Sequence, residues 1–249
     1  MNACIQLIKK EVYRFSSIWV QTIIGPVSTA ILYQLIFGKQ LEHVILGSTS
    51  YQEFLIPGLV MMQVLLNAFG NGSSSLIQSK YTGNIIFILM APISPLSMYL
   101  GYLTASIIRG ILVGVVVFAS IVWFGGEVPK VWSAVIFFSL CGAAIAAGLG
   151  LIAGILSDKF DQLAAFQSFV IVPLVYLAGI FFTIDGLPHL WWHVAHLDPF
   201  LYIVDGFRYG FTMYTSINVY VCGVIVASMA MIVNLVGYML LKHGIKIKH

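Results

Sequence analysis

Residues 131–157, VWSAVIFFSLCGAAIAAGLGLIAGILS, run for 27 positions without a charged side chain. At about 1.5 Å per residue, a helix of that length crosses a hydrocarbon core roughly 30 Å thick. The segment reads as a transmembrane helix. Outward from it, further charge-free runs occupy 15–38, 54–79, 81–108, 110–126, 162–184 and 209–241. The whole chain is 60% hydrophobic and 8% charged, against about 25% charged in an ordinary soluble domain. Its mean hydropathy is +0.98. A 249-residue chain of this composition cannot bury its apolar surface inside one globule. A soluble enzyme and a disordered chain are excluded. A nucleic-acid binder is excluded too, because the net charge of +3 comes from scattered residues near span ends and not from a basic face. The expected fold is an all-α integral membrane protein forming a single domain over residues 1–249.

The seven runs predict six transmembrane helices. The run from Tyr81 opens with Thr82, Gly83 and Asn84 and is broken by Pro92 and Pro95, which a spanning helix would hardly begin with. Residues 73–95 are therefore expected to be a connector. The next helix should start near Leu96 and continue through Arg109 to about Phe124. The expected spans are 19–38, 54–74, 96–124, 131–156, 162–182 and 217–241. The first follows Lys9, Lys10 and Arg14 and is too long for the core of a signal peptide, so it reads as a retained anchor. Residues 2–17 place Ile5, Ile8, Val12 and Phe15 at helical spacing, with Lys10 and Arg14 on another face. That pattern fits either an interfacial helix on the membrane surface or the frayed start of the first span.

Both termini are expected to be cytoplasmic. Lys9, Lys10, Arg14, Lys80, Lys159, Lys242, Lys246 and Lys248 then lie inside, against Lys39, Lys130 and Arg208 outside. The acids Glu42, Glu53, Glu127, Asp185, Asp198 and Asp205 fall outside but carry little weight in that rule. Between the last two spans, residues 183–215 hold Pro188, Pro199, Trp191, Trp192 and a run of Phe and Tyr. This segment is too aromatic for an aqueous loop and too broken for a span, and predicts a pair of re-entrant or interfacial helices. In the fourth span, Gly142, Ala146, Gly150 and Gly154 recur every four residues, a stripe suited to close helix packing.

The chemistry of catalysis is missing. The Gly38-Lys39 pair has Tyr33 where a phosphate loop needs glycine, so the chain is not expected to hydrolyse ATP itself. No carboxylate lies within an expected span, and no nucleophilic triad or thiolate pair appears. Cys4, Cys141 and Cys222 lie far apart and read as packing residues. No catalytic residue and no resident cofactor are expected. His189, His193 and His196 share one helix face, a spacing that can hold zinc, yet no thiolate or carboxylate completes a site, and they are expected not to be ligands. Arg109 inside a span costs at least about 2.5 kcal/mol if it faces lipid. Its expected partners are backbone carbonyls, polar side chains such as Gln63 or Asn67, or an anionic substrate or headgroup. In the connector, Ile85 to Met90 is an apolar run too short to cross and too long to leave in water, so it needs a partner surface or lies on lipid.

An ordered set of short motifs carries a resemblance. It comprises Arg14-Phe15 with Trp19-Val20-Gln21 and Pro26, then Phe54-Leu55-Ile56-Pro57-Gly58-Leu59, Ala91-Pro92 and the stretch 105–110. It continues with 173–179, Gly186-Leu187-Pro188, Asp198-Pro199 and Gly206-Phe207-Arg208-Tyr209-Gly210. In this order the chain resembles the membrane subunit of a type-2 ABC exporter, particularly the small YadH-like permeases that work with a separately encoded ATPase. The resemblance implies a six-helix half-transporter of the bacterial inner membrane. Two copies, with two ATPase subunits that bind the ATP, would export a substrate from the cytoplasm or inner leaflet. It also implies that residues 78–92 seat on the ATPase, through Gln78, Lys80, Asn84, Ile86, Phe87, Leu89 and Pro92. Residues 179–210 would cap the outward side, with Gly179, Pro188, Asp198, Pro199 and Arg208 as its fixed points. Arg109, Gln63 and Asn67 are the candidate pathway or anion contacts. Two departures stand out: Asp198-Pro199 where the family commonly has Asn-Pro, and Ile86 and Phe87 where it commonly has acids. The partners expected are thus an ABC ATPase, a second copy of the chain and membrane lipid, with no nucleic acid. A channel or scaffold without an ATP-driven cycle is the rival reading that composition allows.

Overall fold

The computed structural model describes residues 2–38, 40–41, 45–46, 49–124 and 127–244. Lys39, Glu42, Lys246 and Lys248, used above for orientation, lie outside the described residues, as do the side chains of Leu89 and Asp185. The helices are α1 (Asn2–Ser17), α2 (Val20–Gly38), α3 (Tyr51–Tyr81), α4 (Asn84–Met90), α5 (Pro95–Ile121) and α6 (Trp132–Leu156). They continue with α7 (Phe160–Leu177), α8 (His189–Leu197), α9 (Pro199–Thr212) and α10 (Val219–Lys242). A two-residue antiparallel ladder, β1 (Ile45–Leu46) with β2 (Thr49–Ser50), precedes α3. Among the described residues six helices, α2, α3, α5, α6, α7 and α10, are long and apolar enough to cross a membrane. The chain is an all-α integral membrane protein.

Helix α3 is the axis of the bundle. It starts at a capping box in which the Glu53 N–H donates to Ser50 Oγ (3.3 Å) while the Ser50 N–H donates to Glu53 Oε2 (3.2 Å). Its most apolar window is 78% buried, against 17% for α2, α7 and α10, whose outward faces are left for lipid. The small-residue stripe of α6 is what brings α3 so near. A Cβ on Gly154 would stand 2.9 Å from the Ser73 carbonyl and one on Gly150 would run into the Phe69 carbonyl, while one on Gly142 would stand 2.7 Å from Ile203 Cγ2 of α9. Two backbones therefore pass where lipid offers no hydrophobic drive, held by contact and close approach.

Boundaries differ from expectation in instructive places. The second span does not end at 74; α3 continues to Tyr81, because Ser73, Ser75 and Ser79 bury their hydroxyls on neighbouring groups. The connector thus shrinks to 82–94, and Gln78 and Lys80 belong to the end of a span helix. Helix α7 stops at Leu177, short of 182, where Gly179 turns the chain with φ +75. Residues 183–215 hold two separate helices, α8 and α9, as the prolines required. Within α2 and α7 the turns Val20–Ile24 and Gln167–Ile171 are π-helical, each just ahead of a proline, Pro26 and Pro173, whose missing N–H loosens the ladder there.

The N-terminal helix is a unit of its own, separated from α2 at Ile18. Its buried stripe is not the one the hydrophobic spacing suggested. Leu7, Glu11 and Phe15 face inward, whereas Ile5 is 44% exposed. Pairing of Glu11 and Arg14 with side chains of α3 explains the rotation.

Candidate functional site

At the end of the bundle that carries α1 and α4, Gly83 (φ +71) turns the chain between α3 and α4 in a left-handed conformation that favours glycine. Helix α4 is two-faced. Ile85 is buried in a cluster with Leu7, Leu76, Met98, Tyr102 and Leu241. Ile86, Phe87 and Met90 stand on the other face, with Phe87 73% exposed. Gln78, Asn84 and Pro92 are exposed beside them. Lys80 is differently placed from an outward contact. Its Nζ donates to the carbonyls of Ile155 (2.5 Å) and Ser157 (3.1 Å), where it satisfies the end of α6 and opposes that helix's dipole. The Tyr81 and Phe160 rings meet edge to face at 5.6 Å and tie the same turn to α7.

Deeper on that side lies a polar cluster that sequence reasoning missed. Arg14 Nε donates to Glu11 Oε2 (2.8 Å), Ser75 Oγ donates to the same oxygen (2.6 Å), and Lys10 Nζ stands 3.5 Å from Glu11 Oε1. Arg14 Nη2 donates to Asn71 Oδ1 (2.8 Å), and Arg109 Nη1 reaches the same Oδ1 at 3.4 Å. Asn71 Nδ2 in turn donates to Ser106 Oγ (3.1 Å). Expected partners of Arg109 are thus corrected: it meets Asn71, one turn beyond Asn67, while Asn67 donates to the Gln63 carbonyl of its own helix (3.0 Å). Gln63 and Asn67 are buried on α3 for packing and local bonding. Glu11 and Arg14 can turn inward because each finds a partner there, which offsets the cost of desolvation. One signal existed in the sequence: Glu11 is the sole acid among the first 41 residues.

The opposite end is closed by α8, α9 and the turn after α7. Arg208 is buried and bridges two helix ends: Nε donates to the Phe54 carbonyl (3.2 Å) and Nη2 to the Gly179 carbonyl (2.8 Å). Burial pulls its guanidinium below the usual value, and the nearby Asp205 carboxylate pulls it back. Asp205 accepts from the Ser216 (3.3 Å) and Ile217 (3.0 Å) N–H groups and so fixes the entry to α10. Asp198 caps α9 by accepting from the Phe200 N–H at 2.9 Å. Its Oδ2 is buried with no hydrogen-bond partner among the described residues, and burial raises its pKa to about 7 against the opposing pull of that N–H. Pro199 occupies the first helical position, where its missing N–H costs nothing. Pro188 precedes α8, whose His193 and His196 hold Nδ1 at 2.8 Å from the carbonyls of His189 and Trp192. Gly179 and Arg208, 29 residues apart, are joined directly. Phe54, whose carbonyl and ring Arg208 also holds, was not foreseen as part of the cap.

Comparison with known proteins places these features in a family. The ABC-2 type transporter family model matches residues 2–212. The inner membrane transport permease YadH of Escherichia coli (strain K12) is 37% identical over 204 residues, covering 81% of this chain and 80% of that protein. The permease of the same name from Shigella flexneri matches to the same extent.

Proposed function

This chain belongs to the ABC-2 type transporter family and is the membrane permease subunit of an ABC transporter; from that premise we propose that it drives export, coupled to a separate ATPase. In this reading two copies pair in the bacterial inner membrane, with α1, α4 and both termini on the cytoplasmic side. A substrate leaves the cytoplasm or inner leaflet and passes outward beneath the cap of α8 and α9. ATP is bound and hydrolysed on the partner.

The observation that carries the proposal is the outward face of α4. Ile86, Phe87 and Met90 are exposed together, while Ile85 on the same helix is anchored in the bundle. An apolar patch standing out at a helix end, on a support this firmly packed, is suited to receive a push from a docked protein. Lys80 carries that push onward, since it joins the last turn of α3 to the end of α6. Ile86 and Phe87 stand where the resemblance implies acids, so the ATPase groove should be apolar and the contact resistant to salt.

Affinity purification from native membranes, with identification of the co-purifying ATPase, tests the reading. Phe87→Asp should release that ATPase and stop export while the permease remains folded in the membrane. Full-yield co-purification and normal export by this variant would show that α4 is not the docking element.

A further inference from the structure

Arg14 and Arg109 share one acceptor, Asn71 Oδ1, at 2.8 and 3.4 Å. The carboxylate in reach of this pair is Glu11, already engaged by Arg14, Ser75 and Lys10. Two guanidiniums against one carboxylate leave an excess positive charge in a half-buried place. Arg109 Nε is moreover buried without a hydrogen-bond partner among the described residues. A desolvated guanidinium N–H with nothing to accept from it is costly, and guanidinium geometry suits a two-pronged anion.

The depth of the cluster narrows what that anion is. Asn71 lies twenty residues along α3 from Tyr51, about 30 Å of rise, which matches the thickness of a hydrocarbon core. Arg109, further along α5, points its Nη1 back to that level. Arg14, in the last turn of α1, keeps 20% of its side chain exposed there. The cluster therefore stands near one boundary of that core, on the α1 side, and is partly open at Arg14.

We propose that Arg14 and Arg109 form a binding site for a phosphate group, presented by an anionic lipid of the leaflet on the α1 side, with Arg109 Nε as the free donor and Asn71 Oδ1 holding the two guanidiniums side by side. Helix α1 supplies one of the two arginines, so occupancy also fastens α1 to α3 and α5. The proposal rests on the geometry of the cluster alone and stands whether or not the export reading does.

The test is native mass spectrometry and thermal unfolding of the detergent-purified permease. It is titrated with dioleoylphosphatidylglycerol, with dioleoylphosphatidylcholine, and with inorganic phosphate as competitor. The expected result is a preference of about tenfold for phosphatidylglycerol over phosphatidylcholine. Asn71→Asp supplies the missing counter-charge internally, and should abolish the preference while leaving the unfolding temperature equal or higher. Arg109→Lys, which keeps the charge but lacks Nε, should weaken it. Displacement by millimolar phosphate identifies free phosphate as a sufficient ligand; no displacement identifies the lipid as the source. Equal binding of the two lipids by the unaltered protein overturns the proposal, as does a preference untouched by both substitutions.

Discussion

Arg208 lies with its guanidinium carbon 3.7 Å from the centroid of the Phe54 ring while its Nε donates to the Phe54 carbonyl at 3.2 Å. One residue of the second span thus offers α9 both a π face and an acceptor. The stacked plane and the fork that also reaches Gly179 hold the start of α3, the turn after α7 and α9 as one piece.

Arg208→Lys keeps the charge but cannot stack or reach both carbonyls. The expected loss is about 1–3 kcal/mol of stability, concentrated at this end of the bundle. Hydrogen exchange should rise in α9 and residues 179–187 while the end bearing α1 stays protected. Uniform exchange across both ends would contradict this.

Gly150→Ala should be among the most disruptive single changes, because the added methyl meets the backbone of Phe69 and backbone cannot step aside. A cost of at least about 2 kcal/mol and poor yield of folded protein are expected. Gly25→Ala provides the contrast, since nothing lies within 4 Å of a Cβ there. That substitution should be neutral or stabilise by up to about 1 kcal/mol.

Asp198 gives the cap a pH dependence. Its folded pKa, about 7, lies above the ordinary 3.8 because burial disfavours the carboxylate. The folded protein therefore holds its proton more tightly than the unfolded chain does. The associated stability is fully present below pH 3.8 and is lost as pH rises to about 7. The expected slope in that window is at most about 1.4 kcal/mol per pH unit. Asp198→Asn retains an oxygen for the Phe200 N–H and should flatten the slope and raise the unfolding temperature at pH 8. A variant no more stable at pH 8 than the unaltered protein would refute the assignment.

The histidines of α8 should not hold metal in stoichiometric amount. His193 and His196 commit Nδ1 to carbonyls of their own helix, and the His196 ring lies 3.8 Å from that of Trp192. Tag-free protein should contain zinc and copper well below one equivalent, and chelation should leave its unfolding temperature unchanged. One equivalent of zinc lost on His193→Ala would reverse this.

How much was legible in the sequence follows from what each feature depends on. Charge-free runs such as 131–157 fix a span by themselves, because the cost of a charge in hydrocarbon acts on each residue without regard to its neighbours. The same local physics made Pro188 and Pro199 break the segment before the last helix, and left Phe87 as an apolar residue in need of a surface. Motifs in order also sufficed to indicate the family. What the sequence did not disclose are the places where one long-range partner changes the sign of a local cost. Arg14 reads as a residue of the outer face of a surface helix, yet it turns inward together with Glu11, because Asn71 and Ser75 of a distant helix meet them. Arg109 meets Asn71 and not Asn67, a choice of one helical turn set by where α5 crosses α3. Extension of α3 to Tyr81, the tie between Lys80 and α6, and the seat of Arg208 on Phe54 have the same origin. A buried polar group is tolerated only beside its partner, and that partner is chosen by the packing of the bundle, which residue type and local spacing do not encode.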